Sequence, residues 1–144
     1  MGNDRSREGV IGLTAATGYQ IGVRRTLPWS QEQAWAFLTS SEGLRLWIGE
    51  VETPRFQVGE TFETAGGVSG EFRVVKSREQ LRLRWKRAAW PSPSTLQIRL
   101  LPAKTGTTVS FHQEQLASAA LREEMKQLWE DAIAAMMAKA SQRT

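Results

Sequence analysis

The amino-acid sequence predicts one α+β domain: a curved antiparallel sheet of about six strands, two short helices, and a long C-terminal helix packed on the sheet. Three observations predict it. Leu121, Met125, Leu128, Trp129, Ala132, Ile133 and Met136 recur at helical spacing, giving one apolar stripe along a helix from about Ser118 to Ala140. Leu81, Leu83 and Trp85 alternate with Arg82, Arg84 and Lys86, the period-two signal of a half-buried strand. Successive strand signals are separated by turn-length connections, which favours antiparallel neighbours. A sheet with one apolar face needs a cover for it, and only the C-terminal segment is long enough to supply one.

Taken in order, residues 1–17 are rich in Gly, Ser and Arg without a sustained period and read as a mobile tail, ahead of a domain spanning 18–144. Tyr19, Ile21 and Val23 alternate with polar residues as a strand that Pro28 ends. Ser30 with Gln33 forms a capping-box pattern, and Ala34, Phe37 and Leu38 continue it as a helix to about Thr39. Ser41 is placed to cap a second short helix carrying Leu44 and Trp47 and stopping near Gly49. Phe62 follows the turn at Val58-Gly59, and Gly66 to Gly70 reads as a second turn. Phe72 and Val74 mark the next strand, then Leu81 to Trp85, then Leu96, Ile98 and Leu100 after Pro91 and Pro93. Thr105-Gly106 turns the chain into a last strand of Val109 and Phe111, alternating with Ser110 and His112.

A length of 144 residues suits a single domain, enough to bury roughly two-thirds of the unfolded chain's surface. Apolar residues make up 40% and charged residues 24%, ordinary globular usage. The six tryptophans are the departure, and they imply a well-filled core or an aromatic-lined pocket. With no cysteine, disulfide frameworks, thiolate catalysis and cysteine-based zinc sites are excluded. No signal-peptide pattern and no apolar run of membrane-spanning length occur, so a cytoplasmic location is the expectation. The net charge of +4 bears on solubility and on anionic partners, not on fold.

Residues that could carry chemistry are few. His112 is the sole histidine. Ser110 and Glu114 share its side of the strand, with successive Cα atoms about 6.6–7 Å apart, a spacing that does not favour a Ser–His hydrogen bond. If Val109 and Phe111 face the core, His112 faces away from it, as a rim histidine. One histidine without cysteine gives little basis for a transition-metal site. The Gly66 to Gly70 segment lacks the Lys-Ser/Thr and following helix of a phosphate loop. No catalytic, cofactor or metal residue is therefore assigned. Arg73, Lys76, Arg78, Arg82, Arg84, Lys86, Arg87 and Arg99 form a basic stretch, and alternation puts Arg73, Arg82, Arg84, Lys86 and Arg99 on the outer face. Sheets that read RNA carry stacking aromatics on that face. Here the aromatics fall on the inner parity, which argues against nucleic acid and for a solvated basic face.

The most informative set is the inner one. Phe62, Phe72, Leu83, Trp85, Ile98, Phe111, Trp129, Ile133 and Met136 are expected to face the gap between helix and sheet. Gln113 shares the parity of Val109 and Phe111, and Arg25 that of Tyr19 to Val23, so either is placed to orient a ligand or to sit at the rim in water. These residues are the candidate lining of a hydrophobic cavity; the alternative is a core that they fill.

Several strings carry a family resemblance: Leu81-Arg82-Leu83-Arg84-Trp85; Trp90 leading into Pro93-Ser94-Thr95-Leu96-Gln97; Gly106-Thr107-Thr108-Val109-Ser110-Phe111-His112-Gln113-Glu114; Arg122, Met125 and Trp129 in the last helix; and Trp47-Ile48-Gly49. From about Tyr19 to Ala140 the chain resembles the START-like (SRPBCC) superfamily, in its single-domain branch related to the activator of the heat-shock chaperone ATPase. The resemblance implies a helix-grip fold with a cavity between the long helix and the sheet, used by members for lipids, hormones or polyketides. It yields three functional expectations. The first is non-enzymatic binding of a small hydrophobic ligand. The second is a stress-response or chaperone-regulating role with a chaperone or other protein partner. The third is a cyclase- or aromatase-like enzyme, for which only Gln113 and Arg25 offer polar groups. No cofactor is implied, and no pattern specifies an oligomer.

Overall fold

The computed structural model describes residues 13–14 and 18–142. The expected tail over 1–17 lies outside these, except for β1 (Leu13–Thr14), which pairs antiparallel with β2 (Gly18–Leu27) through Leu13 opposite Tyr19 and Thr14 opposite Gly18. A two-residue strand is too short to show a period, so alternation gave no sign of it.

Two helices follow β2. In α1 (Gln31–Leu38) the capping box forms: Ser30 Oγ accepts from Gln33 N at 3.0 Å, and Gln33 Oε1 accepts from Ser30 N at 2.9 Å. A Ser30→Ala variant is expected to lose about 1 kcal/mol of unfolding free energy, measurable by urea denaturation. Helix α2 (Ser41–Trp47) is capped by Ser40, one residue before the serine expected. Ser40 Oγ accepts from Gly43 N at 3.1 Å while donating to Phe37 O at 2.6 Å, so it satisfies the end of one helix and the start of the next. Gly43 permits this corner, since a Cβ there would stand 1.9 Å from Phe37 O.

The remaining strands are β3 (Thr61–Glu63), β4 (Val68–Lys76), β5 (Gln80–Arg87), β6 (Ser94–Ala103) and β7 (Gly106–Leu116). They form one curved antiparallel sheet in the order β1-β2-β7-β6-β5-β4-β3, so β2 closes against the last strand. Gly66 to Gly70 is not one turn: the chain turns around Ala65 to Gly67, and Val68, Ser69 and Gly70 already belong to β4. Gly70 is glycine for a close approach, since a Cβ would stand 1.9 Å from Arg84 O.

The long helix α3 (Ala119–Ala140) begins at the Ser118 cap and lies chiefly against β2, with β7 and α2 also alongside it. It buries Met125, Trp129, Ala132, Ile133, Met136 and Ala140, with Leu121 and Leu128 half-buried at the stripe's edges. Opposite it, the sheet contributes Leu81, Leu83, Trp85, Leu96, Ile98, Leu100, Val109 and Phe111, and α1 and α2 add Ala34, Leu38, Leu44 and Trp47.

Two strands depart from strict alternation. Between Phe72 and Val74, β4 takes two steps while β5 takes one from Leu83 to Arg82. Between Gln113 and Leu116, β7 takes three steps while β2 takes two from Ile21 to Tyr19. Each is a β-bulge, which inserts a residue and re-aims side chains. The first sets Val74 opposite outward-facing Arg82, so Val74 does not share the inner parity of Phe72.

Candidate functional site

Every candidate wall residue is buried: Phe62, Phe72, Leu83, Trp85, Ile98, Phe111, Gln113, Trp129, Ile133 and Met136. The centre is Trp129. Its ring stacks on Phe111 at 5.1 Å between centroids and meets Trp85 edge-on at 5.6 Å. Trp90 tilts against Trp85 at 5.4 Å, and the Arg87 guanidinium sits 5.8 Å from the Trp85 ring's centre. Phe62 and Phe72 lie at the β3–β4 end, where they pack on each other, and Phe56 packs on Phe72.

A chain of hydrogen bonds runs through this core. Trp129 Nε1 donates to Gln113 Oε1 at 2.8 Å, Gln113 Nε2 to Ser94 Oγ at 2.8 Å, and Ser94 Oγ to the Trp85 carbonyl at 2.6 Å. Trp85 Nε1 donates to the Trp47 carbonyl at 2.8 Å, and Trp47 Nε1 to the Leu38 carbonyl at 3.0 Å. Buried indole N–H groups and a buried amide need such partners, and the network ties α1, α2, β5, β6, β7 and α3 together. Ser94 is the member that the sequence reading missed. Its signal was available, since Ser94 shares the parity of Leu96 and Ile98.

Burial around Trp129 is nearly complete. Phe72, Leu83, Ile98, Phe111, Gln113 and Trp129 each expose 0% of their surface. A side chain bordering a void large enough for water would retain accessible surface against it. In this conformation, then, the residues around Trp129 surround one another and leave no water-sized space beside them. Of the two polar residues expected on the inner face, Gln113 is enclosed and bonded on both sides of its amide, whereas Arg25 is exposed.

The outer face carries the charge. Arg24, Arg73, Arg82, Arg84 and Arg99 are exposed there, and none makes an ion pair within 4.0 Å among the described residues. Lys86 is half-buried and donates to the Arg87 carbonyl at 3.0 Å. His112 also faces outward, half-buried, with Nε2 3.0 Å from Gln20 Oε1. Neither Ser110 nor Glu114 bonds to it among the described residues, so the strand does not assemble a nucleophile–base pair. No group of His, Asp or Glu side chains among the described residues is arranged to hold a metal ion. No described helix is long and apolar enough to cross a membrane.

The family model for Activator of Hsp90 ATPase homolog 1-like protein matches residues 28–141. The chain belongs to this family. Solved structures share the fold of this chain. A Mesorhizobium loti protein, MLL2253, is 18% identical with a TM-score of 0.72, over 86% of this chain and 99% of that one. The Aha1 dimer from Colwellia psychrerythraea is 16% identical with a TM-score of 0.71, over 84% and 95%. PFC0360w, an HSP90 activator from Plasmodium falciparum, is 19% identical with a TM-score of 0.60, over 69% and 75%. At these identities the likeness establishes the helix-grip fold alone. No curated protein matches the chain. The family match covers both short helices, strands β3 to β7 and α3, and so takes in the whole Trp129–Gln113–Ser94 network and most of the arginine-bearing face.

Proposed function

We propose that this domain is a non-enzymatic protein-interaction module of the Hsp90-ATPase-activator type, which engages a chaperone through its exterior. The observation that carries the reading is the filled interior. Trp129, Phe111, Trp85 and Gln113 occupy the space in which a helix-grip domain would hold a small molecule. What remains for recognition is the surface, whose main chemical feature is the unpaired arginine face. Complementary charge speeds encounter and fixes orientation between proteins. The nature of the partner is suggested by the family and by PFC0360w, the Plasmodium falciparum HSP90 activator that shares the fold.

A small hydrophobic ligand competes for the same interior. To enter, it must displace Trp129 from Phe111 and from Gln113 Oε1, leaving a buried amide acceptor unpaired. An enzyme of cyclase type needs an available polar group inside, but Gln113 is bonded on both sides and Arg25 is exposed. Both considerations favour the interaction reading.

The test is a pull-down of purified Hsp90-type chaperone on the immobilised domain, together with the chaperone's ATPase rate. Retention and a changed ATPase rate are expected, with retention falling about tenfold in an Arg82→Glu/Arg84→Glu variant. No retention and an unchanged rate with the domain in excess would sink the reading. So would native mass spectrometry showing stoichiometric uptake of added hydrophobic compounds by a domain that leaves the chaperone untouched.

A further inference from the structure

The two bulges flank one place. The β4 bulge adds Arg73 beside the outer face of β5, where Arg82 and Arg84 stand two residues apart. The β7 bulge has Gln115 at φ +69°, a left-handed conformation that costs a non-glycine residue energy. Its effect is to break alternation: Gln113 and Leu116 are buried, while both Glu114 and Gln115 lie between them away from the core. Gln115 thereby reaches Thr95 on the outer side of β6, whose hydroxyl donates to Gln115 Oε1 at 2.7 Å. Between the bulges lies a cleft of about 360 Å³ lined by Arg73, Arg82, Arg84, Thr95 and Gln115 with Val74 and Leu83.

The cleft is a set of donors without an acceptor to match. Its three guanidinium groups have no ion pair within 4.0 Å among the described residues, and no carboxylate lines it. Glu71 lies across from Arg84 on β4, yet does not reach ion-pair distance. Thr95 holds the oxygen of Gln115, which leaves the amide NH2 without a partner among the described residues. Arg99 and Arg24 share the face but lie outside this cleft.

We propose that Arg73, Arg82, Arg84 and Gln115 form a binding site for a phosphoryl group. A single carboxylate offers one charge and two oxygens. A phosphate monoester carries a charge of about −1.5 to −2 and three acceptor oxygens at neutral pH, and the guanidinium fork matches it in paired hydrogen bonds. Three guanidinium groups and an amide edge suit the phosphoryl group better. The site refines the interaction reading by giving the basic face one discrete pocket. Its test needs no chaperone, so a failed pull-down and a failed titration are separate results.

Two sources could present this group: a phosphorylated side chain of a protein partner, or a free phosphate compound. NMR titration of the full chain, following the Arg Nε–Hε signals at constant ionic strength, uses inorganic phosphate in one arm and a glycine-flanked phosphoserine peptide in the other. The expected result is saturable shifts at Arg73, Arg82 and Arg84, with affinity lowered at least about tenfold in Arg82→Gln/Arg84→Gln and unchanged in Arg99→Gln. Tighter binding of the peptide assigns the group to a partner's side chain, and tighter binding of inorganic phosphate assigns it to a free compound. The proposal is overturned if shifts do not saturate. It is equally overturned if Arg99→Gln weakens binding as much as the double variant, the mark of a diffuse field, or if a glutamate peptide binds as well as the phosphoserine one.

Discussion

A Trp129→Ala variant is expected to lose about 3–5 kcal/mol of unfolding free energy, the range for truncating a large aromatic side chain in a core. Trp129 stacks on Phe111 and meets Trp85 in a T-shaped contact, so its removal takes a ring contact from each. It also strips Gln113 Oε1 of its donor, and a buried acceptor left unpaired costs about 1–3 kcal/mol. The residues that would have to move inward belong to different elements, β5, β7 and α3, each held by its own hydrogen bonds, so the site has little freedom to collapse. The cavity should therefore persist and accept a ligand of the lost shape. Added indole should raise the variant's melting temperature, as expected for any ligand that binds only the folded state. Naphthalene fills similar space without an N–H and should do so less, and the difference reports the bond to Gln113. Wild-type protein should respond to neither. A loss below about 1 kcal/mol without indole rescue would mean that Trp129 does not plug the core. A wild-type response equal to the variant's would mean that the interior is already open, and would restore the hydrophobic-ligand reading.

That experiment bears on the point at which sequence reading stops. The inner parity of Trp85, Phe111 and Gln113 and the stripe through Trp129 place those side chains in one layer. Hydrophobic period reports which face a residue is on. It carries no information on whether facing side chains interdigitate or stand apart, because that depends on backbone separation and rotamers fixed by the whole sheet. Two aromatic residues of the same parity serve equally well as a wall or a plug. Arg25 illustrates a second limit. Parity put it on the inner face, but it is exposed, while Leu27, two residues further along the same parity, is fully buried: parity gives the side of a strand, not the depth.

The bulges mark a third limit. Alternation was followed correctly through β5 and β6, where the register is unbroken from Leu81 opposite Ile98 to Trp85 opposite Ser94. It does not carry past Arg73 or Glu114, because an inserted residue shifts every later side chain by one step. Nothing in Arg73-Val74 or Glu114-Gln115 announces an insertion: neither contains glycine, and Gln115 takes a left-handed φ that its residue type rarely adopts. The arginine face was legible because Arg82 and Arg84 lie on a regular strand. The cleft was not, because its other two sides are built by the irregularities.

Gly70 tests whether a locally ambiguous glycine is read by its place in the sheet. Within the Gly66 to Gly70 segment, turn chemistry alone would make Gly66 and Gly70 equivalent. In the structure they differ sharply. A Cβ on Gly66 would meet nothing nearer than Thr64 Oγ1 at 3.9 Å. A Cβ on Gly70 would stand 1.9 Å from Arg84 O, 3.0 Å from Arg84 C and 2.8 Å from Phe62 Cζ. Phe62 can rotate away, but the Arg84 carbonyl belongs to the backbone, and shifting it disturbs the β4–β5 pairing on both sides. Overpacking of this kind typically costs about 1–3 kcal/mol and sometimes more, and the backbone contact puts Gly70→Ala at about 3 kcal/mol. Gly66→Ala should fall within about 0.5 kcal/mol of wild type. Urea denaturation of the two variants gives the order, and equal or reversed losses would refute the placement of Gly70 inside β4. The displacement also reaches the outer face. Arg84 and Arg73 sit on the two strands being forced apart, so Gly70→Ala, measured where it remains folded, should weaken phosphate binding at the arginine cleft while Gly66→Ala leaves it intact.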